Sequence, residues 1–229
     1  MELFTIGHSN HTIEGFISLL QQHGVTALVD VRSHPYSRFL SHFKRKEFEE
    51  ALSTEKIDYL FLGQELGARS NNPQCYVNGK AVYEKIAATE TFQKGIQKVL
   101  KELEKHRIAL MCAEKDPLTC HRAILVCQHL RHSNLQINHI LKNGILESHF
   151  DLEDRMLKKH GFIVNGQPIQ LSLFDNELSK LPSREECLEK AYKLQGDEIA
   201  YVEKRNDDHE RSNQSFHNRV YSKECSKIL

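Results

Sequence analysis

Residues 25–33 read Val25-Thr26-Ala27-Leu28-Val29-Asp30-Val31-Arg32-Ser33. The run is apolar at almost every position and does not alternate, so a strand built from it needs cover on both faces. Strands of that kind belong to parallel sheets sandwiched between helices. The run closes on Asp30 and Arg32, two charged residues placed where a strand hands over to a loop.

On the N-terminal side, Ile13, Phe16, Ile17 and Leu20 share one helical face, with Asn10 or Thr12 as cap and His23-Gly24 as the stop. Residues 3–6 predict a strand that ends in Gly7-His8-Ser9-Asn10. On the C-terminal side, residues 33–46 read as an irregular loop pinned by Pro35. A short helix through Phe48, Ala51 and Leu52 then leads to a strand over 58–62. Residues 63–80 carry the Gly, Asn and Pro content of a long surface loop. Residues 83–106 have helical spacing, interrupted near Thr89-Glu90-Thr91. A strand over 108–112, a loop over 113–119, a helix over 120–130, a strand over 136–140 and a helix over 151–160 complete the pattern. Strands alternating with helices imply right-handed crossovers and a doubly wound, three-layer α/β fold. The expectation is a mostly parallel sheet of about five strands, Rossmann-like or rhodanese-like, over residues 1–162. Residues 163–229 form a polar extension with a helix over 183–194 and a mobile end.

The 229 residues carry 31 Lys+Arg against 31 Asp+Glu, so net charge exerts no general pull toward nucleic acid or anionic membrane. Any such binding needs a local patch. No apolar run approaches the ~20 residues of a membrane helix. The N-terminus lacks the pattern of a secretory signal. The six cysteines are scattered, as in the reducing cytoplasm, where the protein is expected.

Ligands of open α/β sheets bind beyond the carboxyl ends of the strands. That rule selects the loops at 7–11, 30–38, 63–69 and 112–122, which supply His8, Ser9, Asn10, Asp30, Arg32, Tyr36, Arg38, Arg69, Cys112, Glu114, Lys115, Cys120, His121 and Arg122. Cys112 ends a buried strand before a loop and a helix start. It is either a thiol activated by the helix terminus or a small hydrophobe completing the strand. Cys112, Cys120 and His121 suggest a metal site, but the sequence shows no clear fourth ligand, and no cofactor is required. Arg32 and Arg122 suit a phosphate or carboxylate, or else form Arg32–Glu114 and Asp30–Arg122 ion pairs between loops. In residues 33–46, Tyr36, Phe39 and Phe43 interleave with Arg32, Arg38, Lys44 and Arg45, a composition that fits a nucleic-acid strand or aromatics covering the core.

Four blocks occur in order: 5–10 (Thr-Ile-Gly-His-Ser-Asn), 29–37 (Val-Asp-Val-Arg-Ser-His-Pro-Tyr-Ser), 65–69 (Glu-Leu-Gly-Ala-Arg) and 111–122 (Met-Cys-Ala-Glu-Lys-Asp-Pro-Leu-Thr-Cys-His-Arg). Together they resemble the domain of unknown function 488 family over residues 2–160, with Ala68 where a second glycine is expected. The resemblance implies the fold and the site, and no reaction. Val29-Asp30-Val31-Arg32 and the thiol at Cys112 are more faintly similar to rhodanese-type sulfurtransferases, which implies sulfur transfer with Cys112 as nucleophile. Gln170-Leu171-Ser172-Leu173-Phe174 resembles the pentapeptide by which bacterial repair proteins bind the sliding clamp, a hydrogen-bonding Gln followed by pocket-filling Leu and Phe. The expected function is an enzyme acting on DNA or nucleotides and recruited through that peptide. Arg32, Lys115 and Arg122 would hold phosphate, and Asp30, Glu114 or His121 would transfer protons. The alternatives are sulfur transfer at Cys112 and a non-catalytic adaptor that binds nucleotide or nucleic acid.

Overall fold

The structure, a computed structural model, describes residues 1–36, 41–164, 167–168 and 182–203. The chain begins with β1 (Glu2–Gly7), whose C-terminal turn leads to α1 (Ile13–Gln22), capped by the Thr12 hydroxyl accepting from Gly15 N–H. β2 (Ala27–Asp30), α2 (Arg45–Thr54) and β3 (Asp58–Phe61) follow. Residues 63–80, expected to be irregular, contain α3 (Gly63–Leu66) and a small hairpin of β4 (Tyr76–Val77) and β5 (Lys80–Ala81). The expected break at Thr89 separates α4 (Tyr83–Ala87) from α5 (Glu90–Glu102), and the Thr89 hydroxyl caps the second helix.

β6 (Ile108–Cys112) precedes the largest local departure. In place of one α-helix over 120–130 there is a π-helix, Arg122–Cys127, that runs into α6 (Gln128–Leu130). All six π-helical residues are buried, so no solvent-facing stripe holds this segment to the 3.6-residue period. β7 (Gln136–Ile140) and β8 (Leu146–Ser148) form an antiparallel pair, and α7 (His149–Lys159) follows. β9 (Ile163–Val164) and β10 (Gln167–Pro168) make a second short hairpin. Finally α8 (Arg184–Ile199) starts on a capping box between Ser183 and Glu186 and runs five residues past the expected end.

The central sheet has the order β3-β2-β6-β1-β7-β8, parallel except for β8. It therefore has six strands where about five were expected, because three residues at an edge carry too little periodicity to read. Alternate residues of the strands face opposite layers. Phe4, Ile6, Leu28 and Met111 pack with Phe16, Leu20, Phe48 and Leu52 of α1 and α2. Leu3, Val29 and Leu110 pack with α5, the π-helix and α7, and Cys187, Leu188, Ala191 and Tyr192 of α8 join the same core. The register sets Gly7 beside Cys112 and Asp30 beside Met111, so the ends of β1, β2 and β6 share one edge of the sheet. Among the described residues, no helix is long and apolar enough to cross a membrane.

Candidate functional site

At the end of β1, an added Cβ on Gly7 would lie 1.9 Å from the Glu114 carbonyl oxygen. Only glycine lets this strand lie against the loop after β6. The pairing continues past the strands: His8 N–H donates to Cys112 O and Ser9 N–H to Ala113 O, both at 2.9 Å. The His8 ring stacks on Phe43, and burial, with the Arg32 charge, lowers its pKa to about 4. It is neutral at neutral pH. Ser9 has a left-handed backbone (φ 40°) and its hydroxyl donates to Asn10. Neither of these two side chains reaches the cavity described below.

At the end of β2, Asp30 is fully buried and Arg32 nearly so. Arg32 Nε and Nη2 grip both carboxylate oxygens at 2.6–3.1 Å. Arg32 N–H and the Tyr59 hydroxyl also donate to Asp30. Those four donors occupy the carboxylate, which places Asp30 under Arg32 as its support and not as a group open to substrate. The remaining arm of Arg32 donates to Phe43 O at 3.0 Å. The ion pair is thus Asp30–Arg32 within one loop, and neither of the two inter-loop pairs considered from the sequence forms.

The loop after β6 returns on itself so that Cys120 lies against Cys112. Both thiols donate to the same oxygen of Glu114, each at 3.0 Å. Cys112 Sγ is 3.5 Å from His121 Nδ1, and His121 Nε2 lies 3.0 Å from Val31 O. Burial pushes the Cys112 thiol up, while for Cys120 the Cys112 hydrogen bond and the Arg122 charge outweigh burial and bring it down. Burial, then the Cys120 charge, raises the Glu114 carboxyl. For His121, burial is outweighed by its contacts with Cys120 and its pKa rises.

A cavity of about 430 Å³ opens over this edge of the sheet. His8, Arg32, Cys112, Glu114 and His121 line it together with Tyr36 and Arg69, so the four separate loops meet around one space. Cys120 lies behind this wall, 1% exposed. Besides Ser9, Asn10 and Cys120, two more of the expected anion-binding residues, Arg122 and Lys115, do not line it. Arg122 is fully buried and directs its guanidinium to Glu114 O, Lys115 O and the Thr5 hydroxyl, so its donors are spent on the loop. Lys115 turns outward to a separate depression with Asp116, Glu147 and Arg155. Arg38 and Gln170–Phe174 lie outside the described residues.

Sequence reasoning passed over Tyr83, Ile199 and Tyr201, which also line the cavity. Tyr201 follows α8; Ala81 N–H donates to its carbonyl at 2.9 Å, and the Arg69 guanidinium lies 4.2 Å over its ring. No local pattern announces a contact made across more than a hundred residues. His34 and Ser33 were different, since both stand in the quoted block after Arg32 and were within reach.

Compared with known proteins, no curated protein and no solved structure matches this chain. The family model described as "Domain of unknown function DUF488" matches residues 12–128, a stretch that includes β2, β6 and every cysteine and histidine of the thiol cluster. That match spans more than half of the 229 residues, and the chain belongs to the DUF488 family.

Proposed function

We propose that this protein is an enzyme acting on a nucleotide or on nucleic acid, with the cavity over β1, β2 and β6 as its active centre and residues 170–174 as its docking peptide for a DNA sliding clamp. The supporting observation is the division of labour within one cavity. Its rim carries a cation and flat aromatic surface: Arg69 stacked on Tyr201 at 4.2 Å, and Tyr36, 64% exposed. Its wall carries groups suited to proton transfer: a neutral His8, a Glu114 carboxyl with raised pKa, and His121. A phosphate would meet Arg69, and a base would stack on tyrosine beside groups able to give or take a proton. In this reading Arg32 supports the wall and Asp30 orients Arg32.

Sulfur transfer at Cys112 has less support. The thiol is 3% exposed, it donates to Glu114, and burial raises its pKa, so little nucleophilic thiolate forms on that sulfur. The nucleotide reading is tested by titrating the full chain with mononucleotides and short single-stranded oligonucleotides. Arg69→Ala should weaken binding by about 10- to 100-fold, the worth of a charged hydrogen bond. In parallel, Phe174→Ala should abolish retention on an immobilised clamp. Binding of neither ligand class by the parent protein would end the first claim, and equal clamp retention by parent and variant would end the second.

A further inference from the structure

We propose that Cys112, Cys120 and His121 bind one divalent metal ion of the zinc class, with Glu114 as the fourth ligand. The sequence offered only three candidate ligands; folding supplies the fourth, because the loop after β6 carries Glu114 back over the two thiols. One donor atom from each of the four residues lies within 4.8 Å of all the others. Tetrahedral zinc, with bonds of about 2.0–2.3 Å, separates its ligands by about 3.3–3.8 Å. The contacts at 3.0, 3.0 and 3.5 Å need only a small opening to admit the ion.

Two observations beyond proximity point to a cation here. First, His121 Nε2 sits 3.0 Å from Val31 O, a pure acceptor, so that nitrogen carries a proton and Nδ1 is the ring nitrogen turned toward Cys112 Sγ. An imidazole fixed by a backbone carbonyl on one nitrogen, with the other turned toward the thiols, is the arrangement that holds metal-binding histidines. Second, Arg122 is fully buried beside the two thiols, and among the described residues no carboxylate lies within ion-pair distance of it; its guanidinium meets two carbonyls and a hydroxyl, and its charge acts on the Cys120 sulfur. A buried cation needs a countercharge. Two thiolates and a carboxylate around a divalent ion carry one net negative charge, beside this guanidinium. The donor set of two sulfurs, one nitrogen and one oxygen suits zinc over magnesium or calcium.

The site faces the cavity through Cys112, Glu114 and His121. Glu114 is the ligand a water or substrate oxygen would displace, since the other three are held by β6, the π-helix start and Val31. Metal uptake displaces thiol protons and so strengthens with rising pH. The inference does not depend on the substrate class proposed above, because it is read by the metal alone.

The experiment is an anaerobic cobalt(II) titration of the reduced, chelator-treated full-length chain. The expected result is one equivalent bound at micromolar concentration or below, with thiolate-to-cobalt charge-transfer absorption, tetrahedral visible bands, and loss of both on adding zinc. Cys112→Ser and Cys120→Ser should each reduce the charge-transfer band and weaken affinity by about 100-fold or more, as expected for loss of a direct ligand. Cys127→Ser, buried in the π-helix and not one of the four clustered donors, should bind like the parent. The proposal is overturned if the folded parent takes up no cobalt in this range, or if the band survives undiminished in both ligand variants. Since the parent titration is decisive by itself, a variant that fails to fold does not shield the idea.

Discussion

Arg122 shows how the fate of one residue depends on where its arm can reach. From sequence it reads as a phosphate grip, yet it is the largest of the fully buried side chains, with Nη1 2.7 Å from Glu114 O and Nη2 3.4 Å from Lys115 O. Its task is to hold the loop that carries Glu114, so it belongs to the site's scaffold. Arg122→Met removes all three donating nitrogens, two of which serve the loop carbonyls, while keeping much of the volume. Each carbonyl left unsatisfied costs about 1–3 kcal/mol. The variant should therefore lose about 2–6 kcal/mol in urea unfolding, and a midpoint equal to the parent's would refute the scaffold role. Cys112 makes the complementary case: its position at a strand end was legible, but whether its thiol is exposed depends on Glu114 and Cys120.

At the scale of elements, strand ends and loops meet through backbone, and two glycines separate that contact from ordinary helix preference. A methyl group on Gly7 would overlap the Glu114 carbonyl, at 1.9 Å from the oxygen and 2.8 Å from the carbon. Gly7→Ala should push β1 and the 113–115 loop apart, weakening the His8 N–H to Cys112 O bond and costing about 1–3 kcal/mol or more. Gly15 sits in α1, where the nearest atom to an added Cβ is the Thr12 hydroxyl oxygen at 3.3 Å. There alanine gains about 1 kcal/mol of helix propensity, so Gly15→Ala should be neutral or stabilising. Thermal unfolding of the two variants checks the contrast; equal losses would show that crowding at the strand end is not what selects glycine. The regular elements were read well because burial on both faces (β2, β6) and 3.6-residue spacing (α1, α5) are local patterns. The π-helix and the β8 edge were not, because neither has a period of its own.

Across the whole molecule, a buried polar chain links the sheet to the last helix. The Thr5 hydroxyl meets His139 Nδ1 at 2.8 Å, His139 Nε2 meets His149 Nδ1 at 3.0 Å, and His149 Nε2 meets the Tyr192 hydroxyl of α8 at 2.9 Å. Glu153 accepts from Tyr192 and is held by Arg131 and Arg184. Burial, with the Arg131 charge, lowers His149 to about 3, and burial with His149 and Arg122 beside it lowers His139 as well. Both are neutral in the folded chain. The unfolded chain takes up these protons near pH 6.5 and the folded chain only far below it, so the stabilisation is present above pH 6.5 and is lost progressively as pH falls toward 3. At pH 5 His149 alone should account for about 2 kcal/mol. Urea midpoints at pH 7.5 and pH 5 should differ accordingly, and His149→Gln should reduce the difference; a flat profile in the parent would contradict it. The same chain explains why α8, which follows the extension's polar stretch, packs into the core of residues 1–162.

The primary structure was enough to establish a doubly wound α/β fold and the DUF488 family, since both rest on short-range regularities: buried runs, helical spacing and contiguous motif blocks. It was also enough to nominate the strand-end loops, because parallel strands deliver all their carboxyl ends to one edge. What it left open was the partner of each charged or nucleophilic group. Asp30 with Arg32, Glu114 over two thiols, Arg122 under its own loop and Tyr201 against Arg69 are pairings at contact distance. Hydrogen bonds and ion pairs fall away within a few ångströms, whereas the chain separates Arg69 from Tyr201 by more than a hundred residues. The path of each loop assigned the first three pairings, and the packing of distant segments assigned the last.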